Sequence, residues 1–226
     1  MKTNLLLTLA LVIAPALFAA DLSPKDDVIA AAKKLAEKAS YSWKATVVVP
    51  ESSQWKPGPT EGKTEKDGFT YVTTSMGDNV IEAVMKGDKA VITDQDGWKT
   101  AAELEGGEGR GRFMGRLVRN FKAPAAQVAE LVAGIKELKK DGDIYSGELT
   151  EEGAKAQFRM GNTTNPKGSV KFWLKEGALS KYELKVMGKV EVNGNERDLD
   201  RATTTEIKEV GTTKVNVPEA AKKKLG

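Results

Sequence analysis

The sequence predicts an α+β fold, a curved antiparallel sheet forming an incomplete β-barrel with helices covering its concave side. Three observations lead there. Apolar residues alternate with a period of two in separate blocks, the first over 41–100 and the second over 170–210. Tight-turn pairs punctuate both blocks, and strands joined by such turns run antiparallel. Helical spacing is confined to the ends and the middle, with no helix alternating between successive strands, which rules against a doubly wound parallel sheet.

The elements follow in order. Pro24 to Ala39 reads as a helix: Ser23 can cap it, Pro24 suits its first position, and Asp26 and Asp27 stand where the helix dipole favours acids. Val28, Ala31, Ala32, Leu35 and Ala39 form its apolar face. From Tyr41 the period changes, and Tyr41, Trp43, Ala45, Val47 and Val49 alternate with Ser42, Lys44, Thr46 and Val48. Pro50 to Pro59 reads as a loop. Short strands are predicted over 69–76, 79–85, 89–93 and 98–100, separated by Met76-Gly77-Asp78, Lys86-Gly87-Asp88 and Asp96-Gly97.

In the middle, Gly106 to Gly111 reads as a glycine-rich loop and Arg112 to Phe121 as a helix. Phe113, Leu117 and Phe121 lie on one face of it, and Arg112, Arg116 and Arg119 on another. A second helix is predicted from Pro124 to Ala133, two short strands over 135–138 and 144–149, and a further helix from Thr150 to Phe158. After a loop over 161–168, Val170, Phe172 and Leu174 begin the second meander. Glu176-Gly177 turns it into 179–192, with Tyr182, Leu184 and Val186 on one face, and Asn193-Gly194 turns it into 197–210. A last helix is predicted over Glu219 to Leu225.

Met1-Lys2, an uncharged apolar run to Ala20 and small residues before Asp21 match a cleaved export signal over residues 1–20, leaving 21–226 as one domain. The expected location is periplasmic or secreted. The chain has no cysteine, hence neither a disulfide nor a thioether lipid anchor, and about 200 residues can bury a core without staples. Histidine is absent as well. Without His and Cys, the common zinc sites, haem ligation and Ser-His or Cys-His nucleophiles are excluded. The expectation is therefore no enzyme, no metal and no cofactor. Lys and Arg number 35 against 32 Asp and Glu, so bulk charge does not point to nucleic acid.

Few motifs carry chemistry. Gly106 to Gly111 lacks the Lys-Ser/Thr of a phosphate loop and any βαβ context. Asp94-Gln95-Asp96-Gly97 is too short for a calcium loop. Arg112, Arg116 and Arg119 share a helix flank, and like charges so placed repel by a few tenths of a kcal/mol per pair. Two readings remain open: a solvated face paired with Glu103, Glu105 and Glu108, or contact with an anionic membrane surface. The strand aromatics are likewise either ordinary core or the lining of a partly open concave side.

The layout resembles the periplasmic lipoprotein carriers, the LolA/LolB-like superfamily with its LprG-like branch. An N-terminal helix leads into Tyr41-Ser42-Trp43-Lys44-Ala45, a meander carries Asp96-Gly97-Trp98, helices stand in the middle, and a second meander runs through Thr204-Thr205-Glu206-Ile207 to Val215-Asn216-Val217-Pro218. The resemblance implies a half-barrel whose apolar hollow shelters a lipid or the acyl chain of a lipidated protein, without chemistry of its own. On that reading the lining candidates are Trp43, Val47, Phe69, Tyr71, Trp98 and Phe172, and the protein is expected to act as a monomer. The alternative is an envelope interaction or structural domain with a filled core.

Overall fold

The structure is a computed structural model and describes residues 23–53, 57–77, 79–158, 162–192 and 194–226. The predicted export signal lies outside them, as do Trp55 and Asn193. The described residues form one unclosed antiparallel sheet of eleven strands with six helices, as expected of an incomplete barrel.

In chain order the elements are α1 (Pro24–Ala36), β1 (Ser40–Val48), β2 (Thr60–Glu65), β3 (Thr70–Met76), β4 (Asn79–Lys86), β5 (Lys89–Asp94), β6 (Gly97–Thr100), α2 (Ala101–Glu105), α3 (Gly109–Arg119), α4 (Pro124–Ala133), β7 (Ile135–Asp141), β8 (Ile144–Leu149), α5 (Glu151–Lys155), β9 (Asn162–Lys175), β10 (Ala178–Val192), β11 (Asn195–Lys208) and α6 (Glu219–Leu225). Across the sheet the order is β6-β5-β4-β3-β2-β1-β11-β10-β9-β8-β7. The two meanders therefore meet where the last strand returns to pair with the first.

Helix α1 forms for the expected reasons. The Ser23 hydroxyl accepts from the Asp26 amide at 3.2 Å, Pro24 stands at the first turn, and Val28, Ala31, Ala32 and Leu35 are buried. That stripe packs on α4, whose Val128, Leu131 and Val132 are buried with it. Both helices lie on the sheet face that carries Trp43, Val170, Phe172, Leu174, Tyr182, Leu184 and Val186. The Glu176-Gly177 turn has φ of 53° and 69°, the left-handed pair that a two-residue hairpin requires.

Register carries one face of the sheet through all its strands. Trp43 is opposite Gly62, Gly62 opposite Val72, Val72 opposite Ala83, and Ala83 opposite Ile92. In the other direction Ala45 is opposite Thr205, then Tyr182, Phe172 and Tyr145 in turn. This inner face receives α1, α4 and α5 over β7–β11, and α2 and α3 over β4–β6.

The outer face differs along the sheet. Tyr71 is opposite Val84, and Val84 opposite Val91, and these residues pack under Val217, Ala221 and Leu225 at α6. Over β1, β10 and β11 the outer face is solvated, with ion pairs such as Lys44–Glu61 at 2.8 Å and Lys208–Glu206 at 3.0 Å. Exposed pairs of this kind contribute only about 0–1 kcal/mol each and serve mainly solubility.

Several elements depart from the sequence prediction. Strand β2 (Thr60–Glu65) was not expected, because Thr-Glu-Gly-Lys-Thr-Glu has no apolar alternation. Its inward positions are Gly62 and Thr64 plus Thr60, filled from elsewhere: the Trp43 indole lies on Gly62, and Thr60 and Thr64 bond to Thr74 and Thr70 of β3 at 2.9 and 2.6 Å. Strand β9 begins at Asn162 rather than Val170. Pro166 is tolerated because the β9–β10 register shifts there and Asn165 adopts φ 51°. Helix α3 starts at Gly109, inside the predicted loop, and α2 was not expected at all. Thr100 and Glu103 cap it reciprocally.

A Cβ at Gly62 would stand 2.0 Å from Cζ2 and 2.3 Å from Cε2 of Trp43. Gly62→Ala is therefore expected to destabilise the fold by about 1–3 kcal/mol through overpacking. Urea unfolding measures it, and combining it with Trp43→Leu should recover part of the loss; additive losses would show that the two residues do not share this space.

Candidate functional site

The inner face is the one surface where both helix groups meet the sheet, so it is where a ligand would be sheltered. Its cover comes in two lobes. One, built on α1 and α4, forms the main core with β1, β3 and β7–β11. The other, built on α2 and α3, buries Ala83, Ala90, Ile92, Ala101 and Val118, with Leu104, Met114 and Ile81 half-buried around them. Met85 packs against both. Between the lobes runs a seam over the middle strands β1–β4.

Trp43 occupies the bottom of the seam. Its ring is 4 % exposed, lies over Gly62, stacks on Phe121 with centroids 6.2 Å apart and planes 21° apart, and touches Tyr41 at 5.8 Å. Phe121 follows α3 and is only half-buried. From it the stripe Leu117 and Phe113 runs outward along α3, half-buried at Leu117 and exposed at Phe113. Tyr182 and Phe172 lie deeper under α4, and the Tyr182 hydroxyl donates to Gln127 Oε1 at 2.6 Å. Burial pushes the pKa of Tyr182 up, and that of Tyr41 up to about 12, so both remain protonated.

The six lining candidates divide between the two faces. Trp43 and Phe172 are buried on the inner face, and Val47 lies on it half-buried beyond Ala45. Phe69, Tyr71 and Trp98 are on the outer face beneath α6, with Val84 and Val91. They cannot line the same space as Trp43, because β-strand parity sends them through the sheet. The unforeseen β2 hid that parity. A signal was nonetheless present: the apolar Val217, Ala221 and Leu225 needed a surface of their own. Residues that sequence reasoning did not assign to the site are Gly62, Met85 and Phe121.

The seam is filled rather than open. Two depressions stand out on the described surface, and neither is an apolar hollow. One lies at Thr150, Glu151, Glu152 and Lys155, and the other at Asp27, Ala30, Lys140, Tyr145 and the turns beside them. The second holds a polar cluster. Asp27 accepts from the Tyr145 hydroxyl at 2.8 Å and from Lys140 Nζ at 3.1 Å. Bonding to Tyr145 first, then to Lys140, holds the Asp27 carboxyl below its usual range. Tyr145 is raised chiefly by burial, and Lys140 is raised by its bonds to Tyr145 and Asp27. A phenol and an ammonium that keep their protons more firmly than usual supply no base at neutral pH. The cluster ties α1 to the β7–β8 hairpin.

Arg112 and Arg116 are exposed and make no ion pair among the described residues. Arg119 is drawn aside to Glu105, Nε to Oε1 at 3.1 Å. Glu103 turns instead to Lys224 of α6 at 2.8 Å, which with the Thr100 cap lowers its carboxyl to about 2. Of the pairings considered for the arginine row, the structure makes one.

No protein-family description and no curated protein matches the chain. Solved structures of similar layout include the lipoprotein LppX of Mycobacterium tuberculosis, at 10 % identity over 86 % of this chain and 98 % of that one, with a TM-score of 0.49. LprF of Mycobacterium bovis matches at 9 % identity over 88 % and 97 %, with a TM-score of 0.46. A LolA superfamily protein of Nitrosomonas europaea matches at 7 % identity over 86 % and 96 %, with a TM-score of 0.37.

The Asp27 tie predicts a pH dependence. A carboxyl whose folded pKa lies below its ordinary 3.8 contributes stability that is in place above that value and is lost as pH falls through the lowered one. Asp27→Asn should therefore lower stability at pH 7 and flatten its decline on acidification. Denaturant midpoints of both proteins between pH 7 and pH 2 measure this, and parallel curves would contradict the assignment.

Proposed function

We propose that this protein is a non-catalytic, exported binding protein that takes up an acyl chain, of a free lipid or of a lipidated partner, along the seam between its two helix lobes. The observation that carries the reading is the apolar stripe Phe113–Leu117–Phe121, which runs from solvent to the buried Trp43. A linear apolar ligand needs a path of this kind, apolar along its length and open at one end.

Binding on this reading requires the lobes to part. The α2–α3 lobe is the one suited to move: its cluster of buried residues is small beside the main core, and the glycines from 106 to 111 interrupt it. Entry of an acyl chain would replace the stacking of Phe121 on Trp43 with lipid contacts, an exchange of one apolar neighbour for another. Each methylene transferred from water contributes about 0.8 kcal/mol, enough to offset the separation of a few side chains. The inward polar residues of β2 and β3 at the seam are Thr60, Thr64, Thr70 and Thr74, neutral hydroxyls that suit passage of an uncharged chain.

A second reading has its own observation. Trp43 seated on Gly62 fills the middle of the inner face, as in a domain whose core is complete and whose role is interaction through its surface. The two readings separate in one experiment. Purified protein extracted with organic solvent should release acyl species, or should take up a fluorescent fatty acid saturably at about one per chain, with a change in tryptophan emission that Trp43→Phe removes. Recovery of no acyl species together with no uptake would sink the carrier reading and leave the filled domain.

A further inference from the structure

Helix α3 has a composition unlike the rest of the chain. Its eleven residues, Gly109 to Arg119, hold four arginines and no acid, whereas the net charge of the whole chain is +3. The basic residues elsewhere are overwhelmingly lysine: 28 of the 35 are Lys, and four of the seven Arg stand on this one helix, which carries no Lys. Lysine suffices for solubility. Arginine differs in presenting a planar fork that grips phosphate oxygens in pairs and is less strongly hydrated than an ammonium.

The placement of these residues is equally particular. Gly115 and Val118 are buried against α2 and the sheet, and a Cβ at Gly115 would come within 2.7 Å of the Ala101 carbonyl oxygen, so α3 is held close and its outward face is fixed. At about 100° per residue, Phe113 and Arg116 lie about 60° apart on the side away from that contact, and Arg112 flanks Arg116 about 40° further round. Phe113 is 36 % exposed, and Arg112 and Arg116 are exposed without an ion-pair partner among the described residues. Phe113 also begins the stripe into the seam. Like charges at i and i+4 cost stability, and no ion pair among the described residues offsets that cost for Arg112 and Arg116, although Arg116 in the last turn is favoured by the helix dipole.

We infer that the exposed face of α3 is a docking surface for a phospholipid bilayer bearing anionic headgroups. The guanidinium groups of Arg112 and Arg116 take headgroup phosphates, and Phe113 enters the interface beside them. An amphipathic helix lying in the membrane plane uses this division of labour, basic groups at the phosphates and aromatic or aliphatic groups below. The apolar residue between the arginines argues for a bilayer over a nucleic acid, whose backbone offers no apolar layer. The inference deepens the carrier reading, since docking would bring the outer end of the seam to the acyl chains, but it rests on separate residues.

The test is co-sedimentation with vesicles of phosphatidylglycerol or of phosphatidylcholine at low salt, comparing variants that all retain the native N-terminal segment, so that any affinity of that segment cancels. The parent should prefer phosphatidylglycerol, and R112Q/R116Q should weaken that binding about tenfold or more, given roughly a fivefold loss for each basic residue at the surface. K33Q/K34Q removes the same charge from an exposed part of α1 and should bind as the parent does. Phe113→Ser should weaken binding several-fold at unchanged charge. The proposal is overturned if R112Q/R116Q binds like the parent, if K33Q/K34Q loses as much, or if the parent does not distinguish the two lipids. If Phe113→Ser retains full binding and glycerol phosphate displaces the protein, the surface is a site for soluble phosphate and not for a bilayer. Uptake of monomeric fatty acid without vesicles should be unchanged in R112Q/R116Q. Absence of phosphatidylglycerol binding by the parent with intact fatty-acid uptake defeats the docking surface alone, and vesicle binding by the parent without uptake defeats the carrier reading alone.

Discussion

The seating of Trp43 on Gly62 fixes more of this molecule than any other contact. The indole lies where a Cβ would otherwise stand, so β1 and β2 can pair closely only in the register that puts these two residues opposite each other. Side chains alternate strictly along a strand, and a slip of one residue would turn every later side chain to the other face. From Gly62 the register passes to Val72, Ala83 and Ile92, and the Ala83–Ile92 end of this row receives α2 and α3. The intervening row, with Tyr71, Val84 and Val91, is thereby assigned to α6. One aromatic ring and one missing side chain thus decide which half of the aromatic residues faces inward.

The same contact explains why the interior has two lobes and a seam. Trp43 fills the space over Gly62 of β2, and Phe121 after α3 stacks on it, so the middle of the sheet is covered by side chains from both helix groups. The main core is large and continuous, and the α2–α3 cluster is small and joined to it through Met85. A small cluster carried by short helices and a glycine-rich connection opens at lower free energy than the body it rests on. Polar ties hold the remainder. Asp27 fastens α1 to β7–β8, and Glu103 joins α2 to α6 through Lys224. Arg112 and Arg116, exposed and without an ion pair among the described residues, stand on α3 beside the outer end of the seam.

Much of this was legible in the sequence where side-chain pattern alone decides structure. Helices α1, α4 and α6 and strands β3 to β6, β8 and β10 follow from caps, periodicity and turn pairs, which are local properties. Strand β2 was not legible, because its inward side is a glycine and two threonines that are satisfied by Trp43 and by β3. The first half of β9 was hidden by Pro166, whose place in a strand depends on a bulge against β10. In the site, Trp43, Val47 and Phe172 were identified on the face they occupy, whereas Phe69, Tyr71 and Trp98 were grouped with them for lack of the register through β2. Gly62 gave no signal, and Phe121, though on the predicted apolar face after Arg112, gave none of its stacking on Trp43, since both matter through a relation to one distant ring.

The sequence by itself determined the class of fold, the antiparallel order within each meander, the absence of histidine and cysteine chemistry, and the concentration of arginine on a single helix. These depend on composition and on contacts between near neighbours in the chain. Only the tertiary structure decided that β11 pairs with β1, that α6 covers the outer face, that the inner face is filled at its centre, and that Arg112 and Arg116 make no ion pair among the described residues while Arg119 reaches Glu105. Those outcomes depend on which distant residues share a volume, and a linear pattern records the type of each side chain but not the neighbour that will occupy its space.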